Sequence, residues 1–490
     1  MKNKVVVIGS GFSGLSAAAF LAKSKMDVTV VEKNDQLGGR ARVIKENGYV
    51  FDMGPSWYWM PDIFENFFNE FDVKTQDFYN LLELNPGFKM IFQSDELEIS
   101  SDFNEVCTLF EKYESGASDK LKDFIADAQK KYLIGIDFMY KSPGVSFFEF
   151  FSKEIILNLR SFELLTTYSK HIRKYFKHPY LITLLEFPVL FLGESAKNMP
   201  ALYSLMSFSA LKQGTFYPEG GMNKIIQGMI KTCENLGVNF LTNCNVDNIN
   251  VENSCAVSVT FNDSNIIKSD FVVASADYAH VESTMLQPQF RNYTSEYWQK
   301  KSFSPSSLIF YLGINTKLKN LIHHNLFFDE DLEVFTEEIY KQKIWPKKPL
   351  FYVCCPSKTD KSVAPRGKEN IFILMPIPIG VEDNNQLREK YFNIITDKLS
   401  KYCETRIEDY IDFKKSYCIN DFKSDYNSYE GNAYGLANTL MQTANLKPKI
   451  TNKKVKNLFY TGQLTVPGPG VPPSLISGKL VAEYILKQNL

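Results

Sequence analysis

Gly9, Gly11 and Gly14 stand in "KVVVIGSGFSGLSAAAFLAKSKMDVTVVEKN" at the spacing G-x-G-x-x-G. At that spacing the first glycine makes a tight turn, the second lets a pyrophosphate approach the backbone, and the third lets a helix pack closely on a strand. Glu32 follows 18 residues beyond Gly14, where a carboxylate can accept hydrogen bonds from a ribose diol. Together they predict a dinucleotide site whose phosphates meet the N-terminal amides of a helix. A second glycine-rich stretch, "FYTGQLTVPGPGVPPSLISGK", lies at residues 459–479. Glycine lacks a side chain and proline fixes the path, so this turn can bring backbone very close to a bound group.

Other chemistry is sparse. The eight cysteines, at 107, 233, 244, 255, 354, 355, 403 and 418, form no C-x-x-C and no zinc spacing, which reads as reduced thiols. Of the five histidines only His323 and His324 are close, and as sequence neighbours they are poorly placed to share a metal, so no metal site is indicated. A second G-x-G-x-x-G and a redox cysteine pair are both missing, which argues against a pyridine-nucleotide disulfide reductase.

Those residues need elements to hold them. Val5 to Ile8 is a continuous apolar run, as expected of a central parallel strand covered on both faces. Pro61 suits a first helical position with Asp62 in the first turn, and Ile63, Phe64, Phe67, Phe68 and Phe71 then recur at helical spacing. Residues 95–215 read as mainly helical and strongly aromatic. Between Gly220 and Gly237 lies a further helix, and Phe271 to Ala274 is another buried strand, ending at Ala276 and Asp277. From about 290 to 435 strands alternate with polar loops, as in an antiparallel sheet forming a substrate chamber.

The expected fold class is therefore α/β: a Rossmann-type dinucleotide domain built from discontinuous segments, a mixed β-sheet substrate domain, and a helical insert. The boundaries are 1–90, 216–288 and 441–490 for the nucleotide domain, 91–215 for the insert, and 289–440 for the substrate domain. With 490 residues the chain can bury a large core. Lys plus Arg number 55 against 56 for Asp plus Glu, with no basic block, so nucleic acid is a poor partner. No apolar run approaches the roughly 18 residues that span a bilayer. Lys2 and Lys4 precede a run that ends in a glycine loop, which reads as a strand and not a signal peptide, and a cytoplasmic location follows.

"KNDQLGGRAR", with Gly38, Gly39 and Arg40, resembles the extended fingerprint of FAD-dependent amine oxidases and carotenoid desaturases, and "FDMGPSWYWMPD" continues it through Phe51, Asp52, Gly54 and Pro55. "FYPEGGMNKIIQGMIKTCENLG", "VVASADYAHV", "PSKTDKSVAPRGKENIFILMPIPIG" and "YTGQLTVPGPGVPPSLISGK" resemble bacterial-type phytoene desaturases, with the likeness running from residue 5 to about 485. The resemblance implies FAD as cofactor. It implies a cofactor site of Gly9, Gly11, Gly14, Glu32, Gly39, Arg40, Gly54, Pro55, Asp277, Gly462, Gln463, Gly470, Val471 and Pro472, with the Gly468 turn beside the flavin ring. It departs at Gln463, where many FAD proteins carry Asp and the common desaturase form is Gly-x-His-Pro-Gly-x-Gly.

The implied substrate is a C40 carotene, phytoene taken toward lycopene, with hydride leaving an allylic carbon for the flavin and electrons passing on to oxygen or a quinone. Such a reaction needs orientation and a dry tunnel, not a triad or a metal. No catalytic side chain is assigned; the resemblance implies an acidic residue in the insert, for which Glu149 in "SFFEFFSKE" is the nearest match in kind, but it reads first as a solvated glutamate on an amphipathic helix. A carotene must be drawn from a bilayer, so peripheral association with the inner face of the cell membrane is expected. The Phe-rich insert flanked by Lys153, Arg160, Lys170, Arg173 and Lys174 suits that role, and core packing accounts for the same phenylalanines. A sibling carotenoid desaturase or isomerase, an amine oxidase-like flavoenzyme and a prenyl-lipid carrier resembling the GDP-dissociation inhibitors remain as alternatives.

Overall fold

The computed structural model describes residues 2–145 and 166–488; Glu149, Lys153 and Arg160 lie outside the described residues. Strand Lys4–Ile8 buries Val5 to Ile8 because it runs through the middle of a five-stranded sheet. The order across that sheet is Leu458–Tyr460, Phe271–Ala274, Lys4–Ile8, Asp27–Val31, Asn239–Leu241, and every neighbouring pair is parallel. Residues far apart in the chain meet here, Val6 against Val272 and Val273 against Phe459. Full burial of each such valine is worth about 1.5–3 kcal/mol, which makes the register specific.

Helix Phe12–Lys23 leaves the first glycine turn, and every residue from Phe12 to Ala22 is buried. It packs against helix Asn223–Asn235 and, most extensively, against the closing helix Val471–Gln488. That last contact is tight: a Cβ on Gly478 would lie 2.4 Å from the carbonyl oxygen of Ser13 and 2.6 Å from Ser16 Cβ. Helix Pro61–Asn69 begins with its proline, carries Asp62 in the first turn, and buries Ile63, Phe64, Phe67 and Phe68 on one face.

The second large sheet has seven strands in the order Ile411–Tyr417, Ser306–Ile314, Glu369–Ile377, Phe351–Cys354, His324–Phe327, Phe88–Ile91, Glu96–Ile99. Its pairs are antiparallel except that Phe88–Ile91 runs parallel to His324–Phe327, so the sheet is mixed. It therefore reaches back beyond the 289–440 segment to residues before 100. Four-residue strands such as Glu96–Ile99 carry too little alternation to stand out beside the helices that follow, Phe103–Tyr113 and Ala117–Lys141. Among the described residues no helix is long and apolar enough to cross a membrane.

The two sheets are joined through the segment after the second glycine turn. Tyr311, in the middle of the second sheet, donates its hydroxyl to the carbonyl of Met53 at 2.7 Å, and Asn370 Nδ2 donates to Val50 O at 2.7 Å. Residues 50–57 thus lie between the parallel sheet's loops and the mixed sheet.

Candidate functional site

The first turn is built by contact. Gly9 holds φ +96°, and a Cβ on Gly14 would lie 2.1 Å from the Gly9 carbonyl oxygen, so strand and helix meet with no room for a side chain. Gly11 differs: an added Cβ there would meet nothing within 4 Å. Gly11 is also the N-cap of helix Phe12–Lys23, and no side chain caps the helix. The helix therefore opens without a side-chain cap, beside a position where a Cβ would meet no atom, an arrangement suited to phosphate oxygens. Glu32, buried at the end of strand Asp27–Val31, accepts hydrogen bonds from Ser10 N (2.9 Å), Ser10 Oγ (2.6 Å) and Asn34 N (2.9 Å). Its carboxylate is fixed beside the glycine turn.

The second glycine turn folds back on the first. A Cβ on Gly39, at φ +57°, would lie 3.1 Å from Gly11 Cα, and one on Gly54 would lie 2.6 Å from Arg40 O. Pro55 follows at once. Asp52 accepts hydrogen bonds from Met222 N (2.8 Å) and Asn223 N (3.0 Å), anchoring helix Asn223–Asn235 to this turn, and burial pushes its carboxyl up to about 6.

Arg40 is an incompletely satisfied cation of the site. Its Nη2 makes only long contacts, 3.4 Å to Asn432 O and 3.5 Å to Ser428 Oγ, and its guanidinium lies 5.0 Å from the Tyr426 ring centroid. Its Nε is inaccessible and has no hydrogen-bond partner among the described residues. Asp277, deep in the same region, spends its carboxylate on His280 N and Tyr429 N, both at 3.2 Å, and burial raises its carboxyl. A buried donor without an acceptor costs about 1–3 kcal/mol, more when charged, which a bound anion would offset.

The closing turn completes the ring of glycines. Gly462 (φ +111°) donates its N–H to Ser477 Oγ at 3.0 Å and stands over Ser13, while Gln463 Nε2 donates to Asn432 Oδ1 at 3.3 Å. The final helix begins at Val471, immediately after the exposed Gly470 (φ +115°), so Val471 and Pro472 form its first turn. Beside this turn lies a residue that the sequence left unremarked. Lys447 is buried, its Nζ has no hydrogen-bond partner among the described residues, and an added Cβ on Gly468 would sit 3.2 Å from it. Burial lowers its ammonium to about 7, giving an amine that is largely uncharged under mildly alkaline conditions. The unpartnered Oδ1 of Asn438 lies against the same glycine.

An apolar cavity opens on the mixed sheet, lined by Phe187, Leu190, Leu326, Phe328, Leu374 and Tyr434 among others. Tyr352 lines it too, and donates its hydroxyl to Ser56 Oγ at 3.1 Å, while Trp57 packs 5.5 Å from the Tyr352 ring. The cavity wall is thus continuous with the Gly54–Pro55 turn. The chamber residues come from seven separate stretches of the chain, and no local pattern marks them. A second cleft is of mixed polarity, lined by Lys23, Asn66, Glu70 and Lys479 as well as Phe20, Phe67, Leu475 and Ile476, and both lysines are engaged by Glu70.

The donors fit a flavin dinucleotide: open space at Gly11, an uncapped helix, an anion-seeking Arg40 and a glycine turn with unused polar atoms. The model for flavin containing amine oxidoreductases matches residues 12–486. A carotenoid 3,4-desaturase of Haloarcula japonica is 36% identical over 486 residues, covering 99% of this chain and 98% of that protein. A zeta-carotene-forming phytoene desaturase of Myxococcus xanthus is 27% identical, covering 99% and 94%. Among solved structures, a redesigned putrescine oxidase superposes with a TM-score of 0.63 at 14% identity over 99% of both chains, which speaks to the fold alone.

Proposed function

The chain belongs to the flavin containing amine oxidoreductases, within their carotenoid desaturase branch, and from that membership we propose that it desaturates an acyclic C40 carotene, taking phytoene toward lycopene. It is an FAD-dependent oxidoreductase acting on carbon–carbon bonds of a carotene. FAD, when bound, supplies the hydride acceptor. Gly11, Arg40 and the uncapped helix Phe12–Lys23 would hold its phosphates, Glu32 its ribose, and the Gly468–Gly470 turn its ring.

The observation that carries the substrate reading is the chamber. Leu326, Phe328 and Leu374 offer a polyene only apolar surface, and its wall runs into the turn that would hold the cofactor. A hydrocarbon has no polar group to recognise, so position along the chamber decides which bond reacts. Loss of hydride from an allylic carbon would leave a cation spread along the polyene, and the neighbouring carbon would then pass its proton to a weak base such as water. Tyr352, an aromatic residue of the chamber wall, would favour that spread charge.

A second reading, 3,4-desaturation at the end of an already conjugated carotenoid, is favoured by the 36% identity to the Haloarcula japonica protein. The two are separated by supplying phytoene and lycopene in turn to cells expressing the protein and chromatographing the pigments. Conversion of phytoene supports the first, conversion of lycopene alone the second, and conversion of neither refutes both.

Because carotenes reside in lipid, we place the enzyme at the inner face of the cell membrane, with oxygen or a quinone taking the electrons. Among the expected interfacial cations Arg173 is paired with Glu186. Flotation with anionic liposomes tests this: protein that stays at the bottom contradicts it.

A further inference from the structure

His324 and Cys354 are partner residues on neighbouring antiparallel strands, and His323 directly precedes the first of these strands. One donor atom from each of the three lies within 4.8 Å of the other two. All three side chains are buried, at 3%, 0% and 2% exposure for His323, His324 and Cys354. Among the described residues this is the one group of three metal-ligating side chains gathered so closely.

The hydrogen bonding leaves one ring nitrogen of each histidine without a partner among the described residues. His323 Nδ1 lies 2.9 Å from Thr359 Oγ1, and His324 Nδ1 lies 2.6 Å from the Tyr352 hydroxyl. Tyr352 donates its own proton to Ser56, so its oxygen accepts from His324 Nδ1–H, and the His324 lone pair is on Nε2. Both Nε2 atoms are inaccessible and have no hydrogen-bond partner among the described residues. Trp57 stacks on His324 with ring centroids 4.1 Å apart and planes at 10°, fixing the ring. Metal-binding histidines are oriented in this way, with one nitrogen tied to a polar partner and the other left for the ion.

We propose that His323, His324 and Cys354 form a buried site for a cation that prefers imidazole and thiolate, Zn2+ before others. Carboxylate-seeking Mg2+ and Ca2+ are disfavoured by the nitrogen and sulfur donors. Zinc bonds of about 2.0–2.3 Å require donors closer together than 4.8 Å, so modest side-chain rotation would accompany binding. Cys354 would bind as thiolate, releasing one proton. A small cavity lined by Asp52, Ser56, His323 and Cys354 adjoins two of the three donors, leaving a place for water as a fourth ligand. The ion would cross-link two strands of the mixed sheet beside the Gly54–Pro55 turn and so stiffen the chamber floor. The competing occupant is a single water bridging the two Nε2 atoms.

The test uses the flavin-loaded protein, stripped with a chelator and equilibrated by dialysis against Zn2+ together with a competing chelator, then analysed for zinc, flavin and protein. The proposal predicts one zinc per chain, with affinity lowered roughly 100-fold or more by Cys354→Ser and by His323→Gln, and unchanged by Cys244→Ser. Flavin content reports whether each variant is folded, and the wild-type titration stands if a variant is not. Substoichiometric wild-type zinc, or zinc retained equally by flavin-loaded Cys354→Ser and His323→Gln proteins, overturns it and leaves water as the occupant.

Discussion

Gly14 lies so close to Gly9 that a Cβ added to it would sit 2.1 Å from the Gly9 carbonyl oxygen, whereas a Cβ on Gly11, two residues along the same turn, would meet nothing within 4 Å. The two glycines therefore do different work. One is required by the fold of the empty protein and the other by whatever fills the space beside it.

This separates two variants. Gly14→Ala should lower the stability of the flavin-free protein by about 1–3 kcal/mol, the usual cost of overpacking. Gly11→Ala, at an ordinary φ of −66°, should leave that stability within about 1 kcal/mol and yet release the flavin. Thermal melts of flavin-free protein, with flavin-to-protein ratios from absorbance, measure both. Equal melting losses in the two would contradict the assignment.

Lys447 predicts a pH dependence of the flavin-free protein. Its folded pKa is lowered to about 7 from an unfolded value near 10.5. Between those values the unfolded chain binds the extra proton, so this residue makes stability rise with pH across that window. Lys447→Met should be the more stable protein at pH 7, by up to a few kcal/mol, and the gap should close toward pH 10. Urea titrations at the two pH values decide it; a gap that does not change with pH would show the amine to be charged and paired.

Asp52 works in the opposite direction. Its folded pKa is raised to about 6 from about 4, so the folded state binds the extra proton in that interval. Its contribution is fully present below pH 4 and is lost as pH rises through 6. Asp52→Asn removes this dependence, and the melting temperature of wild type relative to the variant should fall between pH 4 and 7. A flat difference would contradict the burial argument.

In the chamber, Leu190→Glu places a carboxylate at a half-buried apolar wall. Flavin content should stay near one per chain while carotene turnover falls on the order of 100-fold, the cost of desolvating an unpaired charge against a hydrocarbon. Retained turnover would show that the substrate lies elsewhere.

The glycine turns were readable in the sequence because each is a local device, with Gly9, Gly11 and Gly14 within six residues. The buried strand Val5–Ile8 and the aromatic face from Ile63 to Phe68 were legible for the same reason, their period being short. Lys447 was not, because nothing near it in the chain distinguishes it from Lys449; its burial comes from the Gly468 turn and Asn438. Cys354 joins the neighbours His323 and His324 only through strand pairing, which no local pattern in the sequence shows. The strands Phe88–Ile91 and Glu96–Ile99 were hidden by their brevity, and the chamber by the distance along the chain between Phe187 and Tyr434.

The most direct measurement mixes the purified yellow protein, without oxygen, with liposomes carrying phytoene or lycopene, and follows flavin absorbance and pigment together. Bleaching of the flavin in step with one new carbon–carbon double bond per flavin is the predicted result. A flavin that stays oxidised with both carotenes, or that is reduced by a simple amine instead, would contradict the account.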